Sequence, residues 1–139
     1  MGLKRHVSWE WVYNQLITIS KELPKDIEYV TGIARGGLIP AVMLSHMKGI
    51  EFLELDMVYL LKPAERNKIL LIDDIADSGV TLGREIYSGF ITATLCMRYT
   101  STHKPNFYGE FIEDDNWIIF PWERNDSDEI QDYLKNDKV

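Results

Sequence analysis

The apolar residues near the start of the chain recur in steps of three and four, the spacing of an amphipathic helix. Ser8 stands where a helix cap is expected, and Pro24 stands where the pattern stops. The positions that carry this pattern are Trp9, Val12, Tyr13, Leu16, Ile17 and Leu23. The sequence therefore predicts a first helix between Ser8 and Pro24.

Farther along, the apolar residues form short continuous runs that are typical of buried strands. The predicted strands are Ile27–Ile33, Ile50–Leu61, Lys68–Asp74, Phe90–Tyr99 and a short last one within Trp117–Trp122. Between and after them, the predicted helices are Leu38–Lys48, Val80–Tyr87 and a terminal helix from Asp126 or Ser127 to Leu134. Strands that alternate with helices predict an α/β domain with a mainly parallel central sheet flanked by helices.

Composition narrows the classes of function. The chain has 139 residues and a net charge of −7, and we expect one domain over residues 1–139. Residues 113–139 carry nine acidic and three basic residues, so the body is nearly neutral. A protein that coats nucleic acid needs a cationic surface, so no nucleic-acid partner is expected. We interpret the acidic end as a solvated helix, with a subunit contact as the alternative.

The single cysteine, Cys96, lies in an apolar run, and we interpret it as a small core residue. No apolar run reaches the length of a membrane span, and no apolar signal-peptide core follows the basic first residues. We therefore expect a cytoplasmic protein without a membrane span.

The segment from Ile69 to Thr81 is the most informative part of the chain. A strand of branched aliphatic residues delivers Asp73 and Asp74, and Asp77, Ser78 and Gly79 follow. Backbone N–H groups and hydroxyls in such a turn suit a phosphate monoester. The paired carboxylates suit two vicinal sugar hydroxyls or Mg²⁺. Asp77 is placed to exchange a proton with a group on the other side of the sugar. The alternative for Asp73 and Asp74 is structural, because strands that end in two acids are also common without a ligand.

A second candidate loop is Ala34-Arg35-Gly36-Gly37, which follows the first predicted strand. Its glycines do not have the spacing of a dinucleotide site. One arginine among exposed N–H groups suits a pyrophosphate. Taken alone, the loop is better explained as a tight turn with a solvated arginine, but together with the segment from Ile69 to Thr81 it is interpreted as a pyrophosphate site.

Together these two segments resemble the signature of the type I phosphoribosyltransferases, which bind phosphoribosyl pyrophosphate. The closing segment from Asp115 to Glu123, with Lys104-Pro105 before it, resembles the base-binding region of the xanthine–guanine phosphoribosyltransferases. The resemblance covers residues 27–123 and implies the type I phosphoribosyltransferase fold, with a small base-binding region at residues 104–123. It also implies a non-proline cis peptide bond in the Arg35 loop.

The resemblance implies a role for each matching residue. Asp77 would accept the purine proton, Lys104 would bind the exocyclic oxygen, and Asp73 and Asp74 would hold the ribose and Mg²⁺. The remaining substrate-binding candidates are Arg35, Gly36, Ala76, Ser78, Gly79, Val80, Thr81, Trp117 and Ile118. Core packing is the alternative for Trp117 and the favoured interpretation for Trp122, and a solvated loop cation is the alternative for Lys104.

The implied activity is transfer of the phosphoribosyl group to guanine, xanthine or hypoxanthine, by a homo-oligomer that is a dimer or tetramer. One departure is clear, because the family carries a long mobile lid where this chain has only Leu61–Asn67. Lys62 and Arg66 are candidates to offer charge to the pyrophosphate instead. The short connection leaves a non-catalytic binding module as the alternative function. A phosphoacceptor receiver domain is disfavoured, because only 65 residues follow Asp74.

Overall fold

The computed structural model describes residues 2–61 and 65–124. A five-stranded sheet forms its centre, and every neighbouring pair of strands is parallel. The spatial order is β3-β2-β4-β5-β6. The strands are β2 (Tyr29–Gly32), β3 (Glu51–Phe52), β4 (Ile69–Ala76), β5 (Ile91–Arg98) and β6 (Phe107–Ile112). The predicted α/β class and the parallel sheet are confirmed.

Helices α1 (Trp9–Glu22) and α2 (Leu38–Lys48) form where the pattern predicts them. The Ser8 hydroxyl accepts the N–H of Trp11 at 3.0 Å, and Gly49 ends α2 in the left-handed conformation with φ 66°. Within α1, the buried residues are Val12, Leu16 and Ile19. Trp9 and Tyr13 are instead about half exposed, at 51% and 48%.

The predicted strand Ile50–Leu61 is wrong in its second half. Only Glu51–Phe52 is a strand (β3), and Leu55–Leu61 forms helix α3. Leu55, Val58 and Tyr59 pack on one apolar cluster. Their three- and four-residue spacing is helical, and it prevails over the short alternation that begins the segment.

The helix predicted over Val80–Tyr87 is also wrong. Hydrogen-bonded turns occupy residues 80–83, and a single 3₁₀ turn spans Glu85–Tyr87. Arg84 between them is extended, with ψ 137°, so the backbone cannot continue a helix. Gly83 and the Ser88-Gly89 pair leave too few helix-forming residues before β5 begins.

Strands β1 (Lys4–His6) and β6 (Phe107–Ile112) were not predicted from the sequence, and β7 (Trp117–Ile119) is shorter than expected. Strand β1 pairs in parallel with β7, and β7 covers only the first half of the predicted run Trp117–Trp122. Strand β6 contains Gly109 and Glu110, which interrupt its apolar pattern. A Cβ at Gly109 would overlap Gln15 of α1, so the glycine lets the helix approach this strand.

The two faces of the sheet are covered differently. Helices α1 and α2 pack on one face, while α3 and the connection between β4 and β5 cover the other. Among the described residues, no helix is long and apolar enough to cross a membrane. The terminal helix predicted near Asp126 lies outside the described residues.

Candidate active site

A cleft opens at the carboxyl ends of β4 and β5, the edge where open parallel sheets bind ligands. Acidic and hydroxyl side chains line one part of it, and the aromatic and aliphatic residues of the closing segment line another. The lining includes Asp73, Asp74, Asp77, Thr81, Arg98, Trp117 and Ile118. The cleft therefore joins two segments that are about forty residues apart in the sequence.

Asp73 and Asp74 lie within β4, close to its end. Asp73 is only 8% exposed, and Asp74 is partly exposed. The N–H of Asp74 donates to Asp73 Oδ1 at 2.9 Å, and the N–H of Ile75 donates to Asp74 Oδ1 at 2.7 Å. Each carboxylate is thus oriented by the N–H of the next residue, and both residues line the cleft.

The loop that contains Arg35 contacts the acidic end of β4. A Cβ at Gly36 would overlap the Asp74 carboxylate, and a Cβ at Gly37 would overlap the carbonyl oxygen of Ile72. Only glycine permits this close approach. The Ala34–Arg35 peptide bond is cis, and the Arg35 side chain is exposed. The two glycine-containing segments of the sequence are therefore neighbours in space.

Residues 77–81 form a compact turn that rests on the connection between β5 and β6. Gly79 has φ 91°, and a Cβ there would lie 2.6 Å from the backbone nitrogens of Thr102 and His103. The N–H and the hydroxyl of Thr102 both donate to the Ser78 carbonyl, at 2.9 and 3.0 Å. Because no α-helix follows, this turn owes its shape to that neighbouring connection.

The other residues predicted to bind phosphate around this turn differ in exposure. Ala76 is buried at 2% exposure, whereas Val80 is 45% exposed. The Ser78 hydroxyl accepts the Val80 N–H at 3.3 Å, a local side-chain turn. Thr81 is partly exposed and lines the cleft.

Asp77 is held by an arginine that sequence reasoning missed. Arg98 Nε donates to Asp77 Oδ1 at 2.7 Å, and the Arg98 side chain is only 6% exposed. The available signal was its position, since Arg98 is the only charged residue in the apolar strand Ile91–Arg98. A charged residue buried at a strand end requires a partner, and Asp77 supplies it.

Arg98 also contacts the closing segment. Its two terminal nitrogens donate to the carbonyl oxygens of Asp114 at 2.7 Å and Asn116 at 2.8 Å. From the other side, the N–H of Leu3 donates to Asn116 Oδ1 and the Leu3 carbonyl accepts the N–H of Trp117. The backbone that precedes Trp117 is therefore fixed between the central sheet and β1.

Trp117 and Ile118 line the cleft, with Ile118 buried and Trp117 partly buried. The indole nitrogen of Trp117 is buried and has no hydrogen-bond partner in the part of the chain that the structure describes. Trp122 stacks on Phe120 with ring centroids 5.1 Å apart and lies 5.8 Å from Trp9. This packing agrees with the interpretation of Trp122 as a core aromatic residue.

Lys104 lies elsewhere. It lines a second groove, with Arg84, Tyr87, Thr92, His103 and Asn106, between the β4–β5 and β5–β6 connections. Its ammonium nitrogen is 6.0 Å from the centre of the Tyr108 ring. The structure therefore does not bring Lys104 together with Trp117 and Ile118.

Arg66 also differs from its suggested role near the pyrophosphate. Its guanidinium lies 5.3 Å from the Tyr59 ring centre and 5.0 Å from that of Phe90, and it donates to the Ser88 carbonyl at 2.8 Å. The arginine thereby connects α3 to the β4–β5 connection. Lys62 lies outside the described residues.

Cys96 is fully buried in β5, so its predicted role as a core residue is confirmed. Burial raises the pKa of its thiol well above the ordinary value, and the charges of Asp74 and Glu110 raise it further. Such a thiol stays protonated and is a poor nucleophile at neutral pH.

Comparison with known proteins bears on the fold and the family resemblance of the chain. No family model matches the chain. The xanthine-guanine phosphoribosyltransferase of Cereibacter sphaeroides is 27% identical over 85% of this chain and 86% of its own length. A purine phosphoribosyltransferase from Pyrococcus horikoshii superposes with a TM-score of 0.72 and 25% identity, covering 92% of this chain and 99% of that structure.

The chain has the type I phosphoribosyltransferase fold. Its resemblance to the xanthine-guanine phosphoribosyltransferases is confirmed by the sequence similarity. The xanthine-guanine-hypoxanthine phosphoribosyltransferase of Helicobacter pylori shares the fold at a TM-score of 0.67, covering 99% of both chains at 21% identity. The roles of the individual site residues stay predictions.

Proposed function

We propose that this protein is a purine phosphoribosyltransferase that transfers the phosphoribosyl group of phosphoribosyl pyrophosphate to guanine, xanthine or hypoxanthine. One observation carries the proposal. A single cleft holds the paired acids of β4, the turn at Asp77–Thr81, and the apolar Trp117-Ile118 surface. An apolar slot with a few directed polar groups suits a planar heterocycle, and the acids and turn suit a ribose phosphate. The relatives named above carry this activity in their names.

On the sugar side, the turn of Ala76, Ser78, Gly79, Val80 and Thr81 binds the phosphate through backbone N–H groups and hydroxyls. Asp73 and Asp74 bind the two ribose hydroxyls. Arg35 and Gly36 bind the pyrophosphate, since the Arg35 loop touches Asp74 and its guanidinium is exposed.

Mg²⁺ is the proposed cofactor, with Asp73 and Asp74 as its protein ligands. In the described part of the chain, no cluster of three or more His, Cys, Asp or Glu side chains could hold a metal alone. Two carboxylates fit Mg²⁺, which usually binds one or two carboxylates together with water and substrate phosphates. The ion would neutralise charge on the pyrophosphate.

In the proposed reaction, the bond between the anomeric carbon and a pyrophosphate oxygen breaks, and pyrophosphate leaves with the electron pair. A purine imidazole nitrogen forms the new bond to that carbon, and its proton passes to Asp77. The protein contributes mainly positioning and electrostatic stabilisation. Asp77 Oδ1 is bonded to Arg98, while Oδ2 makes no hydrogen bond to any described residue and is the oxygen proposed to accept the proton.

On the base side, Trp117 and Ile118 supply apolar surface and backbone groups. Lys104 stays a prediction as the partner of the exocyclic oxygen, and its place in the second groove argues against it. We also propose a cytoplasmic homo-oligomer, a dimer or tetramer, on the basis of the resemblance.

The test is release of pyrophosphate from phosphoribosyl pyrophosphate and Mg²⁺, with guanine, xanthine, hypoxanthine, adenine or orotate added in parallel. We expect release with at least one 6-oxopurine, with formation of the matching nucleoside monophosphate. Release only with adenine or orotate would contradict the proposed base class. Binding of phosphoribosyl pyrophosphate without release under any condition would contradict the transferase.

That last outcome would favour a second candidate, a binding module for phosphoribosyl pyrophosphate or a nucleotide. The observation behind it is the short connection between α3 and β4, which ends in a 3₁₀ turn at Arg66–Lys68. Because Arg66 is engaged with Tyr59, Phe90 and Ser88, this part of the connection is fixed away from the cleft. Such a connection is too short for a large lid that excludes water.

A further inference from the structure

We infer that Arg98 is a positioning residue, which fixes the proton-accepting Asp77 and the base-binding backbone at residues 114–117 relative to each other. The inference rests on the proposed function and extends it to a residue that the resemblance did not assign. It starts from the three hydrogen bonds of one guanidinium to two segments of the chain.

The geometry of arginine explains why this residue type stands here. The planar guanidinium carries donors in a rigid fork, so it can bond a carboxylate through Nε and two carbonyl oxygens through its terminal nitrogens. In this chain those acceptors are Asp77 Oδ1, the Asp114 carbonyl and the Asn116 carbonyl. A lysine ammonium presents a point charge on a flexible stem and cannot reproduce that planar arrangement.

The burial of Arg98 makes the arrangement rigid. Because only 6% of its side chain is exposed, Arg98 is hardly solvated by water, and its charge is stabilised by these protein acceptors instead. Asp114 takes part twice, since its carboxylate accepts the N–H of Asn116 at 2.9 Å and lies 3.9 Å from Arg98. Residues 114–116 therefore cannot shift without breaking charge-assisted hydrogen bonds.

The consequence for catalysis is a fixed distance between the bound purine and Asp77, the proposed proton acceptor. Trp117, Asp77 and Arg98 all line the same cleft. Because one guanidinium holds both Asp77 and the backbone before Trp117, a purine that binds at Trp117 and Ile118 meets Asp77 in one position. Lys104 has no comparable place, because it lines the second groove.

Arg98→Met and Arg98→Lys, compared with wild type, test this inference. We expect Arg98→Met to raise the KM for the purine by about tenfold or more, as for loss of a charge-assisted hydrogen bond, and to lower kcat as well. The Kd for phosphoribosyl pyrophosphate should change by a smaller factor than the purine KM, since the turn that contains Asp77 is also held by Thr102 through the Ser78 carbonyl. Arg98→Lys should recover part of kcat by keeping a cation near Asp77, but not the KM for the purine.

The matched control is Arg5→Met, which breaks a partly exposed arginine–carboxylate contact, between Arg5 and Glu110 at 3.0 Å. This control should leave both KM values and kcat unchanged. Amide hydrogen exchange over residues 113–118 supplies a readout that needs no activity, and we expect faster exchange there in both Arg98 variants than in Arg5→Met.

Unchanged purine KM in Arg98→Met, or equal effects of Arg5→Met, would overturn the inference. If Arg98→Met does not fold, the comparison of Arg98→Lys with wild type decides it by the same two measurements. If wild type itself releases no pyrophosphate with any base, the proposed function fails. Unchanged exchange over residues 113–118 in the Arg98 variants would then overturn the fixed geometry separately.

Discussion

Arg5–Glu110 and Arg98–Asp77 are two arginine–carboxylate pairs of the described residues, and they differ in what surrounds them. Arg5 and Glu110 join β1 to β6, with each side chain about one third exposed, and Trp11 donates to the same carboxylate. The side chains of Arg98 and Asp77 are far more buried, since only 6% and 18% of their surfaces are exposed. Arg98 also donates to two backbone carbonyls. The first pair fastens strands at the surface, whereas the second organises a cleft.

The difference shows how burial decides the use of an ion pair. A partly exposed ion pair replaces contacts with water by contacts within the protein, so it adds little to the free energy of unfolding. A buried pair costs desolvation energy, and it is strongly destabilising to remove one partner from it. We therefore expect the same substitution to have clearly different effects on turnover and stability in the two pairs.

The largest difference is expected in turnover. Asp77→Asn should lower kcat by about a hundredfold or more, because a general base contributes at least that much, while phosphoribosyl pyrophosphate still binds. Glu110→Gln makes the same chemical change in the other pair and should leave kcat within about twofold. Steady-state pyrophosphate release measures both variants. Equal turnover of Asp77→Asn and wild type would remove the proposed role of Asp77.

The next difference is in stability. Asp77→Ala leaves the buried Arg98 without its carboxylate and should lower the free energy of unfolding by about 3 kcal/mol. Glu110→Ala should cost about 1 kcal/mol or less, since its pair is partly exposed to solvent. Urea denaturation at neutral pH gives both values. The comparison fails if the Glu110 variant is the less stable of the two.

A smaller difference is expected in the pH dependence of stability. The hydrogen bond from Arg5 holds the pKa of Glu110 below its ordinary value of 4.5. A carboxyl with a lowered pKa in the folded state stabilises the protein above its unfolded pKa, and this contribution disappears as pH falls through the folded pKa. Wild type should thus be more stable than Glu110→Gln at neutral pH, and the gap should close in acid below pH 4.5. Thermal unfolding across this range measures the gap, and a gap independent of pH would contradict the lowered pKa.

The smallest effect concerns Cys96, whose pKa responds to members of both pairs. Because the thiol is fully buried and its pKa is raised, native wild type should react with a thiol reagent only slowly. Denatured protein should react at once. Faster labelling in Arg98→Met than in Arg5→Met would show that the buried pair does more to keep this strand closed, and the reverse order would assign that role to Arg5.

Much of the fold could be predicted from residue patterns, because β4, β5, α1 and α2 carry long apolar periods and clear caps. The pattern failed where tertiary contacts decide the structure. Strand β6 contains a glycine beneath α1 and a glutamate bonded to Arg5, and neither contact is visible in a local window. Segment 80–87 was expected to be a helix, but Gly83 interrupts it and β5 begins only a few residues later.

The candidate site divides in the same way. The segment from Ile69 to Thr81 could be found because a strand, paired acids and a turn are contiguous in the sequence. Arg98 could not be assigned a partner, since its acceptors lie 21, 16 and 18 positions away and meet only in the folded chain. Lys104 stays a prediction as the base-binding cation and lines the second groove, while the fold adds Arg98 as a cation that lines the cleft.

The contact of Gly79 with Thr102 and His103 has a consequence for how this protein can change. The connection between β5 and β6 supports the turn at Asp77–Thr81 through these contacts, although it contains none of the turn's own residues. Insertions and deletions in residues 99–106 would therefore change the shape of the turn at Asp77–Thr81 as directly as substitutions within it. Surface connections ordinarily vary in length, but the length of this one is constrained by the turn that it contacts.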